Sequence, residues 1–222
     1  MTAAWPTTVA EAEAEQDRLR GLVDLTDAPV SPRTVAGLDV AYADGDERLV
    51  AAVVVLDAAT LEPVDEAVTI GRPAFPYVPG LFAFREIPAL LAALDRLSTR
   101  PDLLVCDGHG LAHPRRFGLA CHLGVLTGLP ALGVGKTHLT GEWAMPGERR
   151  GDASPISLDG VTVGTVLRTQ DRVRPVFVSP GHRISVAGAA AQVLALAPRF
   201  RLPETTRAAD HACRAALAGR TR

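Results

Sequence analysis

Residues 34 to 72 read TVAGLDVAYADGDERLVAAVVVLDAATLEPVDEAVTIGR. Three β-branched, apolar segments stand out, TVAGLDVAYA (34–43), RLVAAVVVLD (48–57) and PVDEAVTIGR (63–72), separated by Ala43-Asp44-Gly45-Asp46 and by Ala58 to Glu62. Such segments favour strands, and linkers this short join antiparallel neighbours, so the spacing predicts a three-strand antiparallel meander. Upstream, residues 7–24 are rich in Ala, Glu, Leu and Arg, with Thr7 or Thr8 as a cap for a helix packed outside the sheet. Downstream, the link Pro73 to Pro79 leads into 81–97, where Ile87, Leu90, Leu91 and Leu94 recur at helical spacing. DLLVCD (102–107) reads as a short buried strand, followed by a helix around 115–127, a strand ALGV (131–134) and a loop over 141–160 rich in Pro, Gly and charge. Strands at 161–169 and 175–180 and helices at 186–197 and 204–218 complete the chain. A meander followed by strands alternating with helices predicts an α/β fold, one mixed sheet of antiparallel and parallel strands covered by helices.

At 222 residues the chain is read as one domain over 1–222, with residues 1–30 as a helical extension packed on it. The 47% hydrophobic and 22% charged composition supports a buried core and excludes disordered and fibrous classes. Lys plus Arg is 23 against 25 for Asp plus Glu, so no global positive field exists and any nucleic-acid site is local. The longest aliphatic run, Leu49 to Leu56, and the stretch Val186 to Ala197 fall short of the ~20 residues that span a bilayer. Glu11, Glu13, Glu15 and Asp17 argue against a secretory signal, so the cytoplasm is the expected compartment. Cys106, Cys121 and Cys213, an odd set with no close pair, are expected to be reduced, buried thiols.

The chemistry-bearing feature is a set of carboxylates placed where a core prefers apolar groups. Asp39 sits mid-strand between Leu38 and Val40, Glu86 lies in the first turn of a helix in line with Leu90, Ala93 and Leu97, and Asp107 ends a hydrophobic strand. A lone aspartate at a strand end is more often a turn or cap residue, but Asp39 has no turn role. Converging buried carboxylates repel one another unless a cation lies between them. Oxygen-only ligands suit Mg²⁺ or Mn²⁺, and two such ions can activate a water and stabilise a leaving oxygen in phosphodiester cleavage.

Three further segments bear on the reading. Pro76-Tyr77-Val78-Pro79-Gly80 holds a ring on a stiff turn, either a wedge that unstacks bases or an ordinary surface turn whose Tyr covers apolar neighbours. Gly108-His109-Gly110, with His113 and Gly118, is either a loop open enough to accept a flipped base or a tight strand-to-helix turn. Gly133-Val134-Gly135-Lys136-Thr137 is not a phosphate-binding P-loop, because Pro130 stands where the first glycine belongs; Lys136 suits a point charge on a phosphate. No GxSxG elbow or HExxH spacing occurs, which disfavours serine-hydrolase and zinc-protease chemistry.

Together GLDVAY (37–42), PYVPGLFAFRE (76–86), VCDGHG with His113, GVGKT (133–137), VSPGH (178–182) and TRAAD (206–210) resemble endonuclease V, a repair nuclease family acting on deaminated adenine. The resemblance runs from about Val35 to the last helix and implies a ribonuclease H-like fold. It implies that Asp39, Glu86 and Asp107 bind Mg²⁺, with Mn²⁺ substituting, that Lys136 lies near the scissile phosphate, and that Asp210, rather than His211, lies near the metal. Pro76, Tyr77, Val78 and Pro79 would form the wedge, and Gly80, Phe82, Gly108, Gly110, His113 and Gly118 the pocket for extruded hypoxanthine. His182 would orient a nearby loop or ligand. The implied activity is a metal-dependent endodeoxyribonuclease that cuts the second phosphodiester bond 3′ to deoxyinosine, leaving a 3′-hydroxyl and a 5′-phosphate. Arg115, Arg116, Arg149, Arg150, Arg168, Arg172 and Arg174 would supply a local basic strip for DNA. An inosine-specific endoribonuclease and a non-catalytic lesion-binding module are the alternatives; retention of all three carboxylates with Lys136 speaks against the latter. A monomer with no membrane association is expected.

Overall fold

The computed structural model describes residues 5–26, 31–43 and 48–219; Asp44, Gly45 and Asp46 of the first expected turn lie outside these. The meander is present: β1 (Thr34–Tyr42), β2 (Leu49–Asp57) and β3 (Pro63–Gly71) pair antiparallel. β4 (Leu103–Asp107) lies parallel to β1, and β5 (Ala131–Gly135) parallel to β4. β6 (Glu142–Trp143), β7 (Ala153–Leu158), β8 (Val161–Leu167) and β9 (Val176–His182) extend the sheet antiparallel from β5. Among the described residues the order is β3-β2-β1-β4-β5-β9-β8-β7-β6.

Strand alternation divides the core. Val35, Ala52, Val105 and Val134 face α4 (Val186–Leu196) and α5 (Glu204–Leu217), whereas Ala36, Leu38, Val53 and Cys106 face α2 (Ala83–Leu94) and α3 (Leu119–Thr127). α1 (Val9–Arg20) starts in a capping box between Thr8 and Glu11, and buries Leu19 beside Phe117 and Cys121. All three cysteines are buried and unbridged. No helix among the described residues is long and apolar enough to cross a membrane.

Two expectations are corrected. The stretch 141–160 is not wholly loop, since it contains β6 and β7; only Ile156 of β7 is buried, and Pro155 interrupts the pattern, so alternation gave no strand signal. α3 begins at Leu119, not near 115, because the chain first folds back so that the Gly118 and Ala120 amides reach the Gly110 and His109 carbonyls.

Pro88 lies inside α2 and lacks the N–H that would meet the carbonyl four residues earlier, on Phe84. Trp5 fills that role, its indole Nε1 donating to the Phe84 carbonyl at 3.1 Å. Trp5→Phe keeps an aromatic ring there, a smaller one, and orphans the carbonyl; it is expected to lower unfolding free energy by about 1–3 kcal/mol in a urea titration.

Trp5 also stacks on His122, which Phe84 and Phe117 flank. Both His122 ring nitrogens lack a hydrogen-bond partner among the described residues, and burial drives its pKa down to about 3. Below pH ~6.5 the unfolded chain therefore takes up a proton that the folded chain refuses, so this histidine costs stability as pH falls. His122→Leu should gain on the wild type by on the order of 2 kcal/mol between pH 8 and pH 5 in parallel urea titrations.

Candidate active site

Register assembles the charged cluster. Leu38 pairs with Cys106, so Asp39 and Asp107 follow side by side on the α5 face; Asp107 pairs with Val134, two residues before Lys136. The Lys136 ammonium is salt-bridged to the Asp107 carboxylate, and the Lys136 carbonyl is held by Arg201 Nη2 at 2.7 Å. α5 lies over the same face and adds Asp210, whose charge acts on both Asp39 and Lys136 and which also pairs with Arg214 at 3.0 Å. His211 beside it is exposed.

Glu86 enters from the α2 side, 4% exposed, and accepts a hydrogen bond from the Tyr42 hydroxyl at 3.2 Å. The Arg85 guanidinium lies 5.1 Å from the Tyr42 ring centre. Burial, then the charge of Asp107, pushes Asp39 up to about 7 against the pull of Lys136. Burial pushes Glu86 up to about 8, with Asp39 and Asp107 adding to it and the Tyr42 bond opposing. Burial works against the Lys136 ammonium, but Asp107, Asp39 and Asp210 outweigh it and hold its pKa above the ordinary value. Among the described residues no three such side chains are drawn together as a ready metal cage. The donor chemistry nonetheless fits a hard divalent cation: carboxylate oxygens alone, charged only at a cost that a cation would remove.

A cavity of about 530 Å³ opens beside this cluster, and Asp107 lines both. Tyr77, Val78, Pro79, Gly80 and Phe82 form one wall; Gly108, His109, His113 and Gly118 form another. Tyr77 is 65% exposed at its rim, edge-on to Phe82. Gly80 adopts φ +82°, which a side chain would strain. Burial holds His113 down at about 4, and its Nδ1 accepts from the Arg115 amide at 3.2 Å. One residue expected in the pocket does not line the cavity: Gly110, which packs against the Pro180 carbonyl and donates its amide to Ser179 Oγ at 2.7 Å.

The expected basic strip is partly engaged by the fold and partly exposed. Arg168 is buried and bonds the Gly147 and Pro146 carbonyls, Arg150 binds the carbonyls of Leu194 and Ala197, and Arg115 and Arg116 pair with Asp17 and Asp159. Arg172 reaches Glu148 at 3.8 Å, while Arg149 and Arg174 are exposed. His182 Nδ1 accepts from the Asp24 amide at 3.2 Å, which ties the segment after α1 to β9. Tyr42, Arg201 and Gln16 escaped the sequence reading. Only Tyr42 carried a signal, as a polar end to the apolar β1.

A protein-family model described as Endonuclease V matches residues 17–211. An Endonuclease V of Nocardia farcinica is 59% identical over 217 residues, 97% of this chain and 96% of that protein. The crystal structure of Endonuclease V from Streptomyces avermitilis superposes with a TM-score of 0.94 at 56% identity, covering 100% of this chain and 98% of that one. The catalytic domain of human Endonuclease V matches with a TM-score of 0.89 at 36% identity, over 96% of this chain and 98% of that one. Ciona intestinalis Endonuclease V, solved in complex with a 24mer DNA containing an inosine followed by a ribo-adenosine, matches with a TM-score of 0.82 at 26% identity, over 95% of this chain and 98% of that one. A family match across most of the chain, relatives of this identity and the carboxylate–lysine cluster on a mixed sheet agree: the chain belongs to the endonuclease V family of nucleases.

Proposed function

We propose that this protein recognises hypoxanthine in DNA and hydrolyses the second phosphodiester bond 3′ to the deoxyinosine, with Mg²⁺ or Mn²⁺, leaving a 3′-hydroxyl and a 5′-phosphate. The observation that carries the reading is Asp107, which belongs at once to the charged cluster and to the wall of the cavity. A base held in the cavity therefore leaves its own strand beside the cluster. The inosine-containing DNA bound by the Ciona protein supports the substrate class. Asp39, Glu86 and Asp107 would hold Mg²⁺, which when bound activates a water and stabilises the leaving oxygen. Lys136, half-exposed on the same face, exchanges its bond to Asp107 for a phosphate oxygen and offsets charge that develops there. Because hypoxanthine pairs weakly, extruding it costs less than extruding adenine. One chain supplies both cluster and cavity, which favours action as a monomer.

The test is a gel assay on end-labelled oligonucleotides carrying deoxyinosine, its undamaged twin or riboinosine, each with Mg²⁺ and with EDTA. A metal-dependent nick immediately 3′ of the lesion's 3′ neighbour is the expected result. Cleavage indifferent to inosine would remove the specificity, and faster cleavage of riboinosine would make the protein an endoribonuclease. Tyr77 has a separate expectation. Its ring stands at the cavity rim, and base stacking on an aromatic is worth ~1–3 kcal/mol, so Tyr77→Ala should raise the Kd for deoxyinosine DNA about tenfold. The single-turnover rate at saturating enzyme should change far less; a defect confined to that rate would count against the wedge.

A further inference from the structure

Gln16 lies on α1, outside the charged cluster, yet it lines the cavity and is 1% exposed. Its Nε2 donates to the Gly80 carbonyl at 2.9 Å and to the Phe117 carbonyl at 3.3 Å, so the amide head lies between the two walls. This fixes the orientation of the amide, because a flipped head would set oxygen against two carbonyl oxygens. Its Oε1 is then left buried with no hydrogen-bond partner among the described residues. A buried, unmet acceptor is costly, and at a cavity wall it points to a ligand donor.

Deamination creates such a donor. Adenine and cytosine present a bare ring nitrogen next to the amino-bearing carbon, an acceptor; hypoxanthine and uracil present a ring N–H there. We infer that Gln16 is a specificity-determining residue, whose side-chain carbonyl accepts a hydrogen bond from the ring N–H of the extruded base. A lactam base satisfies Oε1, whereas its amino parent sets one lone pair against another. The cavity's other orphaned acceptor, His109 Nδ1, belongs to a ring packed against Gly135 on the Lys136 side. The inference rests on the base-pocket reading above.

The test compares wild type and Gln16→Met in single-turnover cleavage of three oligonucleotides. One carries deoxyinosine, one deoxyadenosine and one purine deoxyriboside, which has neither the N1–H nor the O6. Loss of the Nε2 brace slows both modified substrates alike and cancels in their ratio. The expected result is that the wild type prefers deoxyinosine to purine by tenfold or more, and that the variant's ratio falls about tenfold. Equal cleavage of deoxyinosine and purine by the wild type overturns the inference whether or not the variant folds, as does an unchanged ratio in Gln16→Met. Failure of the wild type to distinguish deoxyinosine from deoxyadenosine would instead defeat the base-pocket reading itself.

Discussion

Asp107→Ala is expected to abolish nicking of a deoxyinosine strand, by roughly three orders of magnitude or more, while the protein stays folded. Loss of even one group that stabilises developing charge costs about 10²–10³ in rate, and Asp107 serves several ends at once. It would ligate the cation, it orients Lys136, and it stands in the cavity wall where the base leaves the strand. Removing one partner of a buried ion pair usually destabilises severely because the other charge is stranded. Here the Lys136 side chain is 44% exposed and keeps water, while Asp39 and Glu86 lose a repelling neighbour. Melting should therefore stay near that of the wild type. Circular-dichroism melting beside the Mg²⁺ nicking assay checks both halves. A folded variant that nicks at the wild-type rate would remove the metal model, and an unfolded one would remove the account of Lys136.

How much of this was legible in the sequence depends on how local the cause was. The meander is written in β-branched runs and short linkers, and Asp39 stands out because a strand centre offers a carboxylate no turn role. Glu86 and Asp107 were equivocal alone and gained meaning only from neighbours. β7 was hidden because a strand with one buried side chain leaves no alternation to read. How much of the arginine strip the fold engages was hidden for a related reason: charge can be counted along a chain, but the carbonyls that bind Arg150 and Arg168 come from distant segments. Gln16 was beyond reach, since its two partners lie 64 and 101 residues away and its helix reads as an ordinary polar surface element.

Gly37→Ala should unseat α5 and with it much of the activity. Gly37 has no left-handed backbone to explain it; it is a glycine because α5 crosses β1 there, and an added Cβ would fall within the van der Waals envelope of the Thr205 backbone carbonyl. A clash with backbone cannot be relieved by turning a side chain, so the first turn of α5 has to move. That helix carries Asp210, and its Cys213 thiol bonds the carbonyls of Asp39 at 3.3 Å and Val50 at 3.4 Å. Overpacking of this kind costs about 1–3 kcal/mol, and a displacement near 1 Å at a reacting centre can cost 10²-fold in rate. The expected outcome is a lower midpoint in urea and, well below that midpoint, a nicking rate reduced by about 10². Gly71→Ala is the control, because a Cβ there meets nothing within 4 Å among the described residues and its φ is not positive. If Gly37→Ala and Gly71→Ala were equally active and equally stable, α5 would not owe its seat to the glycine, and its hold on the cluster would have to come from Cys213 and the buried threonines Thr205 and Thr206 instead.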